Sequence, residues 1–558
     1  MGFFLIGLGL GDPRDVTVQG LEVIKQCTRV YLEAYTSIMN GGKENLEAFY
    51  GREVIVADRE QVEQGSDGLF EGAREGDVAL LVVGDSLGAT THTDLKLRAH
   101  QLNIPVQVIS NVSIINAIGC CGLNLDKFGE TVSIPFWLDG WEPISFADKI
   151  NRNLRKNLHT LCLLDIKVKE QSLENLLRGR RIYEPPRYMR VNQAASQLLQ
   201  ILQRRNGKGE DKNESEQSEG EWLLTPESVC IAVVRIGTET QHLAKATLQE
   251  MSEIDFGEPL HSMIICSECK AYELEQVDKI CANYDGKQAH KSEKENTPGT
   301  LHLIGLGLGA PSDITVKGLD FVKSSVKVYL DSYSSLMTAE LEDLQSFYGR
   351  EVILATRDLV ENQYEEIFRE TSKGDIAFLV VGDPLCATKH VQFMTAALDK
   401  QIPVNVVHNA SIFNAVGCCG LQLYSFGEVV SIPYWKGGDK QEDFYDKICS
   451  NLENGWHTLV LVDIREDKNG PQYMTAAEAA SQLLSVISSR EAESKVAALT
   501  KESTVIGLSK VGSKEQQLRT CMLQEMANSD FGGPPHSLVI VGETHPMEDE
   551  YIDIFKKP

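Results

Sequence analysis

"FFLIGLGLGDP", Phe3 to Pro13, is an aromatic and apolar run that stops at a cluster of glycines. "LHLIGLGLGAP", Leu301 to Pro311, repeats it. Such a run predicts a strand followed by a sharp turn whose bare backbone lets a ligand approach. "DVTVQGLEVIKQC" follows the first copy, with Val18, Leu21 and Ile24 at helical spacing. "RVYLEAY", "EVIVAD", "DVALLVVGD" and "PVQVIS" are then short apolar runs bounded by turn residues. Strands alternating with helices predict an α/β domain with a largely parallel sheet. From about Gly122 a second α/β domain is expected, built from "TVSIPFW", "HTLCLLDI", the helix "NQAASQLLQILQ", "SVCIAVVRIG" and "LHSMIIC".

The repeat extends far beyond the glycines. Gly7 recurs as Gly305, Asp85 as Asp383, Gly119 as Gly417 and His159 as His457, a constant offset of 298 (305 − 7). Ser196 and Ser481 are 285 apart and His261 and His536 are 275 apart, so copy two loses 13 residues and then 10 more. A period this long is a tandem duplication of a whole two-domain protein, not a solenoid. The expected units are residues 1–118 and 119–281 for copy one and 301–416 and 417–558 for copy two. The acidic stretch 204–222 is expected to be a disordered loop and the polar stretch 282–300 a flexible linker.

Bulk properties narrow the function. A chain of 558 residues with 42% hydrophobic and 24% charged residues is ordinary for a globular protein. A net charge of −26 argues against general binding to nucleic acid or anionic lipid, because both need a basic surface. The sequence has no apolar run long enough to span a membrane. Thirteen scattered cysteines, with no secretory leader ahead of Phe3, point to a reduced, cytoplasmic setting.

The glycine turn alone is ambiguous. Gly305, Gly307 and Ala310 satisfy a dinucleotide fingerprint, and Glu33 and Asp331 end the next strand where a ribose-binding acid would stand. Copy one, however, has Asp12 at the third fingerprint position, where a carboxylate would face a pyrophosphate. "LLVVGDSLGATTH" and "FLVVGDPLCATKH" place Asp85 and Asp383 beyond the end of a strand, where ligands of open α/β sheets bind; helix capping is the competing reading. The pairs Cys120–Cys121 and Cys418–Cys419 lie in small apolar surroundings and read as buried structural thiols. "CSEC", Cys266 to Cys269, has neither a second pair nor a histidine set beside it in sequence, so no metal site is expected.

Taken in order, E-A-Y-T-S, V-V-G-D, A-T-T-H, N-x-S-I, G-C-C-G-L, F-G-E-T-V-S-I, D-I-K-V-K-E-Q-S and G-E-P-L-H-S resemble the eukaryotic diphthine methyl ester synthases, or diphthine synthases. Copy one matches over nearly its whole length and copy two over most of it. The resemblance implies a tetrapyrrole-methylase type of fold, two α/β domains with S-adenosylmethionine in the cleft between them. It implies a protein substrate, elongation factor 2, whose modified histidine is methylated during diphthamide synthesis. It also implies cofactor contacts at Leu10, Asp85, Gly88, Ser113, Ile114, Leu164, Ile236 and His261 of copy one. In copy two these fall on Leu308, Asp383, Ser411, Ile412, Val462, Val511 and His536, with Cys386 at the Gly88 position.

No catalytic side chain is assigned, since methyl transfer from a sulfonium needs mainly positioning. The family is homodimeric, so the resemblance implies that the copies pair as an intramolecular pseudo-dimer. Two other classes stay open: a scaffold of the same fold with weakened turnover, and an NAD-dependent oxidoreductase.

Overall fold

The computed structural model describes residues 2–39, 41–88, 92–207, 222–285, 298–336, 339–386, 388–435, 440–467, 470–492 and 498–556. The expected acidic loop starts later than 204, because 204–207 continue the helix Val191–Gly207, and 282–283 of the expected linker close the helix Ala271–Asn283; residues 208–221 and 286–297 lie outside the described residues. No helix among the described residues is long and apolar enough to cross a membrane.

Copy one begins with a five-stranded parallel sheet in the order Ile55–Ala57, Arg29–Glu33, Val78–Val82, Phe3–Gly7, Val106–Ile109. Its central strand Val78–Val82 is fully buried, as expected where helices cover both faces. The second sheet runs His242–Thr247, Val229–Val234, His261–Ile265, Thr160–Leu164, Val132–Ile134. Only its last two strands are parallel, and the rest pair antiparallel. Copy two repeats both sheets, the first around Leu301–Gly305 and the second around His536–Ile540.

One buried apolar cluster runs through both copies, joining Leu87, Ile118 and Cys120 to Leu385, Val416 and Cys418. Both pairs of adjacent cysteines are buried and free of disulfides. The seam between the copies carries reciprocal hydrogen bonds. Asn116 Nδ2 donates to the Asn409 carbonyl at 2.9 Å, and Asn414 Nδ2 donates to the Asn111 carbonyl at 2.8 Å. Val18 N–H donates to Ile314 O and Val316 N–H to Val16 O, both at 2.9 Å. The Lys317 contact is unmatched: Lys317 of copy two lies 3.2 Å from Asp15 and 3.4 Å from Asp12, whereas Gln19 holds the equivalent place in copy one.

Asn116 also accepts from Ser113 N–H at 2.8 Å through Oδ1. Truncating it strands a carbonyl and an amide in a fully buried seam. Asn116→Ala is therefore expected to lower unfolding free energy by about 2–4 kcal/mol, summed over two buried groups. Urea unfolding of the full chain measures this, and a loss below about 0.5 kcal/mol, the size of an ordinary surface effect, would show that the seam does not depend on it.

Candidate functional site

The two domains of each copy face one another across a cleft. In copy one the first-domain wall comes from three turns beyond strand ends, at Leu10, at Asp85 to Gly88, and at Ser113 and Ile114. The second domain supplies Leu164, Ile236 and His261. These eight residues surround a cavity of about 810 Å³, within the usual range for a small-molecule site. In copy two Leu308, Asp383, Ser411, Ile412, Val462, Val511 and His536 surround a cavity of about 440 Å³, with Cys386 also in its wall. Residues scattered over some 250 positions of each copy thus converge on one space. Thr36, Met189 and Arg235 also face the larger cavity; Thr36 and Arg235 stand inside E-A-Y-T-S and SVCIAVVRIG, where residue type alone gave them no role, and Met189 lies outside those motifs.

The glycine turn has a role other than the one expected of it. Asp15 Oδ2 accepts the Gly11 N–H at 2.7 Å and the Asp12 N–H at 3.1 Å, so the amides that a pyrophosphate would use are occupied. Copy two repeats this with Asp313 Oδ2, Gly309 N–H and Ala310 N–H. A Cβ on Gly11 would lie 2.2 Å from the Gly237 carbonyl. The bare backbone therefore lets the first domain press against the second, and Leu10 beside it reaches the cavity. Glu33 is spent on its own turn, accepting from Tyr35 N–H, Thr36 N–H and Thr36 Oγ1 at 2.6–2.8 Å. Both features that favoured a dinucleotide are thus committed within the fold.

Asp85 is almost fully buried. Its Oδ1 accepts Leu87 N–H at 2.8 Å and its Oδ2 accepts Asn111 N–H at 2.9 Å. The aspartate closes its own turn and pins the next strand end while lining the cavity. Burial pushes its carboxyl up to about 6, against the pull of those amides. In copy two, His408 Nδ1 sits 2.7 Å from Asp383 Oδ2, where copy one has Ser110.

Gly88 shows how little room the turn has. A Cβ there would stand 2.6 Å from Ser113 Cβ and 2.8 Å from its Oγ. Copy two accommodates Cys386, whose Sγ lies 3.5 Å from Asp383 Oδ1 and 3.5 Å from the Asn116 carbonyl of copy one.

Neither histidine at the rim is a free base. His261 Nδ1 accepts Val191 N–H at 3.3 Å and Nε2 lies 2.9 Å from the Glu258 carbonyl, which fixes a neutral tautomer. Burial lowers its pKa, consistent with that neutral form. His536 is held the same way by Ala476 N–H and the Gly533 carbonyl. His92 is buried with Nδ1 on the Ser86 carbonyl, and it does not line the cavity.

Tetrapyrrole (corrin/porphyrin) methylases match this chain over residues 2–206 and again over 300–527, and the chain belongs to that family as a tandem duplication. Among its relatives, the diphthine methyl ester synthase of Mus musculus is 60% identical over 262 residues, covering 47% of this chain and 90% of the relative. That of Schizosaccharomyces pombe is 50% identical over 293 residues, covering 50% of this chain and 99% of the relative. A solved Entamoeba histolytica protein described as a candidate diphthine synthase is 39% identical, covers 50% of this chain and 97% of its own, and has a TM-score of 0.42. Each relative accounts for about half of the present chain.

The Asp85 environment carries a pH signature. In the folded chain the carboxyl holds its proton to about pH 6, whereas in the unfolded chain it releases it near 3.8. The folded state binds more protons in that window, so this residue's contribution to stability falls as pH rises from 3.8 to about 6. Asp85→Asn keeps one acceptor and removes the ionisation. Its unfolding free energy relative to wild type is expected to be lower near about pH 4 and to recover by roughly 1–3 kcal/mol near about pH 7. Urea unfolding at both pH values reads this, and a pH-independent difference would contradict it. Asp85→Ala, which leaves two buried amides unpaired, is expected to cost about 2–4 kcal/mol near about pH 4 and, having lost the same ionisation, correspondingly less near about pH 7.

Proposed function

We propose that this chain is an S-adenosylmethionine-dependent methyltransferase that methylates the modified histidine of elongation factor 2, a diphthine methyl ester synthase of diphthamide biosynthesis carried as two fused copies. The observation that carries the reading is the convergence, in a methylase fold, of Leu10, Asp85, Gly88, Ser113, Ile114, Leu164, Ile236 and His261 around one cleft large enough for a nucleoside cofactor.

The residues present fit that cofactor. The wall is mostly apolar, and its polar points include the buried Asp85 carboxyl, Thr36, Ser113 and a fixed neutral imidazole. The Arg235 guanidinium is engaged by the carbonyls of Thr240, Phe256 and Glu258, so its charge is held on the loop backbone. When bound, S-adenosylmethionine supplies an electrophilic methyl group on a sulfonium. The chain's contribution is then to hold an amine or carboxylate of the substrate in line with that methyl and to exclude water. Leu10, Ile114, Leu164 and Ile236 provide the dry wall. His261 has no nitrogen left to accept a proton, so an amine acceptor loses its proton to solvent or another group before or during attack.

The copies are assigned unequal shares. Copy one has the larger cavity and Gly88; copy two has the smaller cavity, Cys386 and the Asp383–His408 pair. Copy two thus completes an internal pseudo-dimer and contributes less turnover.

Calorimetric titration of the full chain with S-adenosylmethionine and, separately, with NAD tests the class. The expected result is one strong site for S-adenosylmethionine; preferential NAD binding would reject it. Transfer of a labelled methyl group to elongation factor 2 carrying the unmethylated precursor tests the activity. Cofactor binding without transfer would instead favour the scaffold reading.

Gly88→Cys, which installs the copy-two residue against Ser113, is expected to weaken binding at the strong site by about tenfold or more, or ~1.4 kcal/mol. If Gly88→Cys leaves both binding and transfer intact while Asp383→Asn abolishes transfer, the shares of the copies are reversed.

A further inference from the structure

Away from both clefts, the fold brings His159 to two cysteines that follow it by 107 (266 − 159) and 110 (269 − 159) residues along the chain. His159 immediately precedes the strand Thr160–Leu164, and Cys266 and Cys269 lie in the turn between the strand His261–Ile265 and the helix Ala271–Asn283. One ligand atom from each falls within 4.8 Å of the others. His159 and Cys266 are buried, and Cys269 is partly exposed. The sequence offered no histidine for this pair because the partner comes from another strand.

The ring is already set for a ligand. Its Nδ1 accepts the Ser267 N–H at 3.0 Å and lies 3.1 Å from Ser267 Oγ, so that nitrogen is the unprotonated one and it faces the turn that carries both thiols. Glu273, in the first turn of the following helix, is buried, yet its Oε1 has no hydrogen-bond partner and the nearest cation, Lys127 Nζ, is 3.8 Å away. In copy two the equivalent carboxylate, Glu548, accepts Gln422 N–H at 2.7 Å and lies 3.8 Å from His457 Nε2. There Val541 and Thr544 replace the cysteines, and His457 Nδ1 still accepts a backbone amide, Gly542 N–H at 2.9 Å. The histidine's structural role therefore does not need the thiols. Copy one alone adds two soft ligands beside an undercompensated carboxylate.

We propose that His159, Cys266 and Cys269 form a site for a zinc-type divalent cation, with a fourth position open to water or an exogenous ligand beside Cys269. Thiolate and imidazole ligands select zinc over hard cations, and a C-x-x-C pair with one histidine is a recurrent half of such sites. Each thiol gives up its proton as its sulfur bonds the cation, so two protons leave per ion bound. Two thiolates and Glu273 are then balanced by Lys127 and the dication. The Ser267 N–H and hydroxyl contacts are exchanged for the metal bond at Nδ1. The buried Glu273 carboxylate adds negative charge near the ring, which favours a bound cation. The ion would clip the start of the helix Ala271–Asn283 to the second sheet. That helix also meets copy two, through Lys279 and Asp399 at 3.0 Å.

Titrating the reduced full-length chain with Co²⁺ alone tests the site. The expected result is saturation at one cobalt per chain, with thiolate charge-transfer absorption, tetrahedral ligand-field bands, loss of two titratable thiols and displacement by Zn²⁺. The paired substitution Cys266→Val and Cys269→Thr installs the copy-two residues and is expected to abolish these signals while leaving the circular dichroism unchanged. Should that variant fold poorly, Cys269→Ser alone changes only the partly exposed ligand and is expected to lose the tetrahedral spectrum. A reduced chain that gives no cobalt–thiolate absorption, a spectrum that survives Cys269→Ser, or freshly isolated protein with the two cysteines joined as a disulfide and no bound zinc would each overturn the proposal.

Discussion

Four asparagines tie the molecule together. Asn111 sends Nδ2 to the carbonyls of Gly7 and Asp15 in its own glycine turn, while its backbone carbonyl accepts from Asn414 of the other copy. Asn409 and Asn116 form the mirror relation. Each glycine turn is thus one asparagine away from the seam, and the seam is one asparagine away from the opposite turn. All four side chains are buried with essentially no exposure, where an unmatched amide or carbonyl is costly, so the geometry tolerates little slack.

This arrangement braces the cleft walls from the opposite copy. Ser113 and Ile114 start the short helix that Asn116 anchors across the seam, and Asp85 fixes the adjoining turn through backbone amides. Leu87, two residues beyond Asp85, packs in the cluster shared by both copies. A wall braced from behind by the other copy keeps its positions without loss of entropy at the moment of binding, which is what positioning catalysis requires. The second domain closes the cleft through Gly11 against Gly237, an approach that any side chain would block.

Much of this was legible in the sequence. Apolar runs ending in glycine, the regular offset between copies and the ordered motifs located the strands, the duplication and the residues now found around the cleft. Strand direction in the second domain was not legible, because apolar patterning reports burial and says nothing of which way a neighbour runs. Nor could it tell where polar groups are spent. Asp15 stopping the glycine turn, Glu33 closing its own loop and Asp85 serving two amides are decisions made by three-dimensional proximity. Residue type only limits the choices. The same holds for His159, which is adjacent to Cys266 only after two strands of one sheet have paired.

The cysteine at position 386 bears on how such a protein changes over generations. In a dimer of identical chains, every substitution enters both active clefts at once, so a side chain that crowds one crowds the other and selection sees the sum. Here a single gene encodes both halves, and Gly88 and Cys386 are separate codons. One cleft can keep its original residue while its twin accumulates changes, provided the asparagine seam between them is preserved. Covalent fusion converts a symmetric partner into a heritable asymmetric one, and the seam becomes the part that neither half is free to alter alone.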